Sequence, residues 1–248
     1  DLQGVLLPGY NAASPGLPTN DADGHGTMVA GLIGAVGGNG YGIHGAAPNA
    51  RLVPVKVGET VSSLIDGMMW AAENAEVISM SMSVKPNMSE YPIAIESTKR
   101  AAAFVIGKGV PLVVSMGNTG DNSRNVPAAF AGQEVPDLIA VGATDKREEP
   151  AFFSTFGSWC SVSAPGDTVV TTGLNNTYVY ARGTSFSTPL VAATVALMLG
   201  AGHSSNPGAV KRTLQSTARD LLTPGPDERT GAGRVQADRA VLGLNAGR

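Results

Sequence analysis

The sequence predicts a single α/β domain over residues 1–248, built on a mostly parallel sheet. Helical and strand patterns alternate along the chain. Parallel strands joined by right-handed crossovers require that alternation. The segment Leu138-Ile139-Ala140-Val141 is wholly apolar, as expected of a strand covered on both faces. The length of 248 residues suits one domain, and 43% hydrophobic with 15% charged residues leaves no case for disorder.

Each element has its own signal. Gly24 and Gly26 flank His25 and allow a tight turn where a helix begins. Arg51 to Val57 reads as a strand. Ser62 to Asn74 reads as a helix with Ser62 as N-cap; Leu64, Ile65, Met68, Met69 and Ala72 give it an apolar face. Val77 to Met82 is the next strand, Ile93 to Gly107 a helix ending in glycine, and Val110 to Ser115 another strand. A helix rich in Ala and Val starts near Thr184 and should cross the core. Asn206-Pro207 caps a last helix running to Ala218. The stretch Thr223 to Thr230 is a surface loop and not a domain boundary.

Composition excludes several functions. The net charge of −3, with no long basic cluster, argues against nucleic acid as a partner. Lys99-Arg100 and Lys211-Arg212 read as solvated helix faces. No apolar run reaches 18 residues, so no membrane span is expected. The single cysteine, Cys160, excludes an internal disulfide and reads as a small buried hydrophobe. The chain opens Asp1-Leu2-Gln3 with neither initiator methionine nor signal peptide, so a processed chain or a fragment is expected.

Three motifs carry chemistry. Gly183-Thr184-Ser185-Phe186-Ser187-Thr188-Pro189 precedes an apolar run to Leu199 and places a serine at a helix start. Unpaired N–H groups and the helix dipole there favour an adjacent oxyanion. Asp23-Gly24-His25-Gly26-Thr27-Met28-Val29-Ala30-Gly31 supplies a histidine that could act as a base. Val113-Val114-Ser115-Met116-Gly117-Asn118-Thr119-Gly120 ends an apolar strand in an asparagine; alone, Asn118 reads equally as a turn residue. Of the other histidines, His44 lies in a loop and His203 follows Gly202 at a helix end.

Together these blocks, in the order His, Asn, Ser, resemble the subtilisin-like serine proteases (subtilases), whose motifs are HGTxVAG, xxGNxG and GTSxxxP. Gly45-Ala46-Ala47-Pro48, Ser163-Ala164-Pro165-Gly166 and Gly231-Ala232-Gly233-Arg234-Val235 extend the likeness over nearly the whole chain. The resemblance implies a three-layer αβα fold with a mostly parallel central sheet. It implies a secreted endopeptidase acting on peptides or proteins through an acyl-enzyme on Ser185. His25 would be the general base and acid, and Asn118 the oxyanion donor. Ser81, Met82, Ser83, Met116 and Gly117 would bind substrate. Ser83-Val84 replaces the usual Gly-Gly, and Val57 to Leu64 is shorter than usual, which suggests a narrow substrate range.

One expected feature is missing. The family's catalytic aspartate lies in Asp-[Thr/Ser]-Gly, at the end of an inner strand upstream of the histidine; no such motif precedes His25. Asp21 and Asp23 lie in the turn leading into His25 and read as helix caps or cleft residues. The domain is therefore expected to be N-terminally incomplete and to lack its first inner strand. Such a deletion leaves unpaired sheet edges, so a complementing N-terminal fragment or partner chain bearing the aspartate is expected. Without it, the alternative is an impaired, peptide-binding pseudoprotease; a further alternative, favoured by the short Val57–Leu64 segment, is a maturation protease or peptide ligase dedicated to one precursor peptide. No cofactor or catalytic metal is required. A structural calcium ion at Asp1 and the 37–42 loop is left open by the resemblance.

Overall fold

The computed structural model describes residues 1–83 and 92–244. Its parallel strands fall into two groups. β1 (Tyr10–Asn11) pairs with β2 (Val55–Lys56). β3 (Ile78–Met80), β4 (Leu112–Ser115), β5 (Ile139–Thr144) and β6 (Val162–Pro165) pair in that order, all parallel. A separate antiparallel hairpin joins β7 (Val169–Gly173) to β8 (Thr177–Ala181).

The helices are α1 (His25–Gly34), α2 (Val61–Asn74), α3 (Pro92–Gly107), α4 (Thr184–Gly200), α5 (Pro207–Thr217) and α6 (Ala237–Leu242). The period of two along a strand sorts them into layers. Leu112, Val114 and Ala140 pack with Leu64, Met68, Ala102 and Val105 of α2 and α3. Val113, Ile139 and Val141 point the other way, onto Val191, Val195 and Met198 of α4 and onto α5. The result is three layers, αβα, as expected.

The two strand groups differ in burial. Every residue of β4 and β5 is buried. Both residues of β2 are only half-buried, as are Ile78 and Ser79 of β3. No hydrogen bonds join β2 to β3 among the described residues, although α2 connects them directly, contacts β1 and β2, and shares a core cluster with β3 and β4. The Ser79 hydroxyl is buried without a hydrogen-bond partner among the described residues.

Three local expectations need correction. The N-cap of α2 is Thr60 and not Ser62: Thr60 Oγ1 accepts from the Ser63 N–H at 3.2 Å, so the cap lies two residues earlier. Lys211 is not on a solvated face. Its ammonium donates to the carbonyls of Ala131, Pro136 and Leu138 at 3.0, 2.6 and 2.9 Å. Burial pushes its pKa down to about 8. The β7–β8 hairpin was not anticipated; Asn175 and Asn176 both adopt the left-handed conformation at its tip. Cys160 is buried just before β6, and burial pushes its thiol up to about 12, so it stays an inert thiol.

Candidate active site

The site is assembled from the starts of two helices and the ends of two strands. Gly183 is the N-cap of α4, with φ 146°, a conformation that favours glycine. A Cβ there would come within 3.1 Å of Asn118 Nδ2. Thr184 and Ser185 open the helix. The Ser185 N–H is thus among the four that a helix cannot pair internally.

Asn118 follows β4 through Gly117, which has φ 104°. Its Oδ1 accepts from the Thr184 N–H at 2.8 Å and from the Thr184 hydroxyl at 3.0 Å. Thr184 Oγ1 in turn accepts from the Gly117 N–H at 3.1 Å. Two donors on one oxygen fix the amide, leaving Nδ2 as the group free to donate. Motif reading missed Thr184, because its role depends on a contact across the fold.

Ser81 follows β3. Its hydroxyl donates to the Ser185 carbonyl at 2.7 Å, and Ser185 Oγ lies 3.5 Å from the Ser81 carbonyl. Ser81, Met82, Ser83, Ser115, Gly117, Asn118, Thr119, Asn125, Thr184 and Ser185 line a cavity of about 350 Å³. Met116 does not line it. Both faces of β4 are covered, and the Met116 side chain is fully buried in the core against α2 and α3. Asn125, not anticipated from sequence, takes a place in the lining. Val84 lies outside the described residues.

His25 is the first residue of α1. Gly24, with φ 96°, turns the chain into the helix. Asp21 caps this end: Oδ1 accepts from Asp23 N and Gly24 N, and Oδ2 from Thr27 N and Oγ1. Burial raises the Asp21 pKa, but these bonds outweigh it and hold the carboxyl below its ordinary value. Asp23 accepts from the His25 N–H. The hairpin braces α1 from the side: Thr171 and Thr172 donate to the carbonyls of Met28 and Thr27 at 2.6 and 2.7 Å. The imidazole lies against Phe186, ring centroids 5.7 Å apart, next in sequence to Ser185. Among the described residues no hydrogen bond joins the His25 ring to Ser185 or to a carboxylate. The other histidines serve elsewhere. His203 pairs through Nε2 with the Val241 carbonyl, and His44 lies beside the Gly45 carbonyl.

Asp1 is committed to protein donors. Its carboxylate accepts from Asn39 Nδ2, Ile43 N and the Tyr178 hydroxyl at 3.2, 2.9 and 2.8 Å. A calcium ion needs six to eight oxygens and would have to displace these donors. No cluster of three His, Cys, Asp or Glu suited to a metal occurs among the described residues. No helix among the described residues is long and apolar enough to cross a membrane.

A sequence model described as the Subtilase family matches residues 7–233. The chain is 33% identical over 231 residues to a thermophilic serine proteinase of Bacillus sp., covering 91% of this chain and 54% of that relative. It is 34% identical over 238 residues to the minor extracellular protease Epr of Bacillus subtilis, covering 93% of this chain and 35% of the relative. The chain thus spans about half or less of the length of these relatives. Among solved structures, a protease of Pseudoalteromonas arctica superposes with a TM-score of 0.81 at 27% identity, over 98% of this chain and 86% of the other.

Proposed function

The chain belongs to the subtilase family, and from that premise we propose that it is a serine endopeptidase. Ser185 Oγ attacks the peptide carbonyl, and His25 accepts the hydroxyl proton. The oxyanion settles between Asn118 Nδ2 and the Ser185 N–H. His25 then protonates the leaving amine, and water releases the acyl group from Ser185 by the same steps in reverse. No cofactor takes part. The observation that carries this reading is the pair of hydrogen bonds that the Thr184 N–H and hydroxyl donate to Asn118 Oδ1, which leaves the amide N–H₂ free beside the nucleophile. The name of one relative, an extracellular protease, supports a secreted protein.

The third catalytic member is an aspartate on a complementing segment that adds a strand at the free edge of β3, between the two parallel strand groups. The half-buried state of Ile78 and Ser79 and the unpartnered Ser79 hydroxyl support that position.

A fluorophosphonate probe tests the activity. The account expects one probe mass on Ser185, absent in Ser185→Ala and greatly slowed in His25→Ala. No labelling under any condition would leave a peptide-binding module, the reading favoured by the His25 ring having no carboxylate partner among the described residues. The short link from β2 to the Thr60 cap supports a narrow substrate range, and rapid general digestion of casein would contradict that.

A further inference from the structure

The cavity beside Ser185 has a polar floor that bond cleavage does not use. Asn125 and Ser115 both line it, each only 4% exposed. Asn125 Nδ2 donates to the Met116 carbonyl at 3.1 Å and to Thr155 Oγ1 at 3.3 Å. The orientation of this amide is enforced from a distance. The Thr119 hydroxyl donates to Asp121, so Thr155 must donate to Thr119, at 2.8 Å, and can only accept from Asn125. Gly117 makes room for the arrangement; a Cβ there would lie 2.2 Å from Asn125 Nδ2.

Two oxygens are left over. Asn125 Oδ1 and Ser115 Oγ make no hydrogen bond among the described residues, and both residues line the cavity. A side chain that enters the cavity displaces solvent from these oxygens and must replace its hydrogen bonds. Their chemistry specifies one: an N–H donor for Asn125 Oδ1, and a group that bonds the Ser115 hydroxyl. A primary carboxamide supplies both, its N–H₂ to Asn125 and its oxygen to Ser115. The described lining carries no charged side chain. A lysine or arginine would be desolvated there without a counter-charge, and a glutamate would face the Asn125 oxygen.

We propose that Asn125 and Ser115 are specificity-determining residues that select a carboxamide side chain, glutamine or asparagine, on the residue whose carbonyl Ser185 attacks. This rests on reading the cavity as the acyl-side pocket of the protease.

The test reads binding, so it does not need turnover. The intact chain carrying Ser185→Ala is titrated with blocked product peptides Ala-Ala-Pro-X, where X is Gln, Met or Glu. Met matches Gln in length but lacks the amide. The expected result is that Gln binds at least about tenfold more tightly than Met or Glu, because rejecting an analogue that leaves a buried polar group unpaired is efficient. Asn125→Leu should reverse the Gln-to-Met order. Should that variant not fold, Ser115→Ala, which removes a single hydroxyl, should narrow the ratio severalfold. Binding of Met equal to or tighter than Gln, a ratio unchanged by Ser115→Ala, or no binding of any peptide overturns the proposal. A Gln preference in a chain that no fluorophosphonate labels would instead overturn the protease reading and leave the pocket assignment standing.

Discussion

The nucleophile end and the base end of this cleft are built to different degrees of completion. At the Ser185 end, the Thr184 N–H and hydroxyl, Asn118 Oδ1 and the Ser81 hydroxyl are all engaged with one another or with the Ser185 backbone. That end rests on β4 and β5, whose residues are all buried. At the His25 end, the helix start is well capped by Asp21, yet the ring packs on Phe186 and has no hydrogen-bond partner among the described residues. The strand that packs against α1 is β7, of the separate hairpin. The groups read as oxyanion donors are therefore held in place within the described residues, whereas no hydrogen bond among the described residues orients the ring read as the base.

If that contrast holds, damage to the prebuilt end should cost most. Asn118→Ala should slow acyl-enzyme formation about 100- to 1,000-fold, a magnitude borrowed from the oxyanion asparagine of subtilisin. Single-turnover burst kinetics with an ester substrate measure it. A loss under threefold would mean the oxyanion is held elsewhere. Thr184→Val removes the hydroxyl bond to Asn118 Oδ1 but keeps the backbone one. It should lower kcat roughly tenfold with little change in KM, the pattern of an interaction made only in the transition state.

The base end should show itself in acid. Asp21 is held below its ordinary pKa by bonds at the start of α1. Its stabilisation is complete above the unfolded carboxylate value and is lost as pH falls through the lowered folded value. Asp21→Asn should therefore lower stability by about 1 kcal/mol at neutral pH and flatten the acid side of the melting profile. An unchanged acid limb would remove Asp21 from the account.

The smallest effect on the cleft should come from Lys211, remote from both ends. Lys211→Met orphans three carbonyls and should cost about 2 kcal/mol of stability, read by urea denaturation, while the ratio of kcat to KM stays at its native value. The folded pKa of about 8 lies below the unfolded lysine value, so the cost of burying the ammonium is fully present below about pH 8 and relieved as pH rises toward the unfolded value.

Much of this was legible in the sequence, for stated reasons. The αβα layering followed from apolar strands such as 138–141 and from helix periodicity, because both report burial directly. His25, Asn118 and Ser185 lie in short contiguous motifs, and local motifs survive without coordinates. Thr184, Asn125 and Lys211 did not announce themselves. Each acts through partners at least nine residues away in sequence: Asn118 for Thr184, the Met116 carbonyl for Asn125, the Ala131 carbonyl for Lys211. Met116 was misplaced because it stands between two cleft residues, while a strand covered on both faces turns alternate side chains inward. The hairpin had a usable signal in Asn175-Asn176, a pair suited to left-handed turns.

The most direct test is the rate at which a fluorophosphonate labels Ser185 in the intact chain, alone and with an added extended peptide ending in Asp-Ser-Gly. The account predicts slow labelling alone and an acceleration toward the roughly 30,000-fold that the catalytic aspartate contributes in subtilisin, the source of that magnitude. Protection of β3 amides from hydrogen exchange should accompany it. Fast labelling by the chain alone, unchanged by the peptide, would contradict the claim that the base end is incomplete.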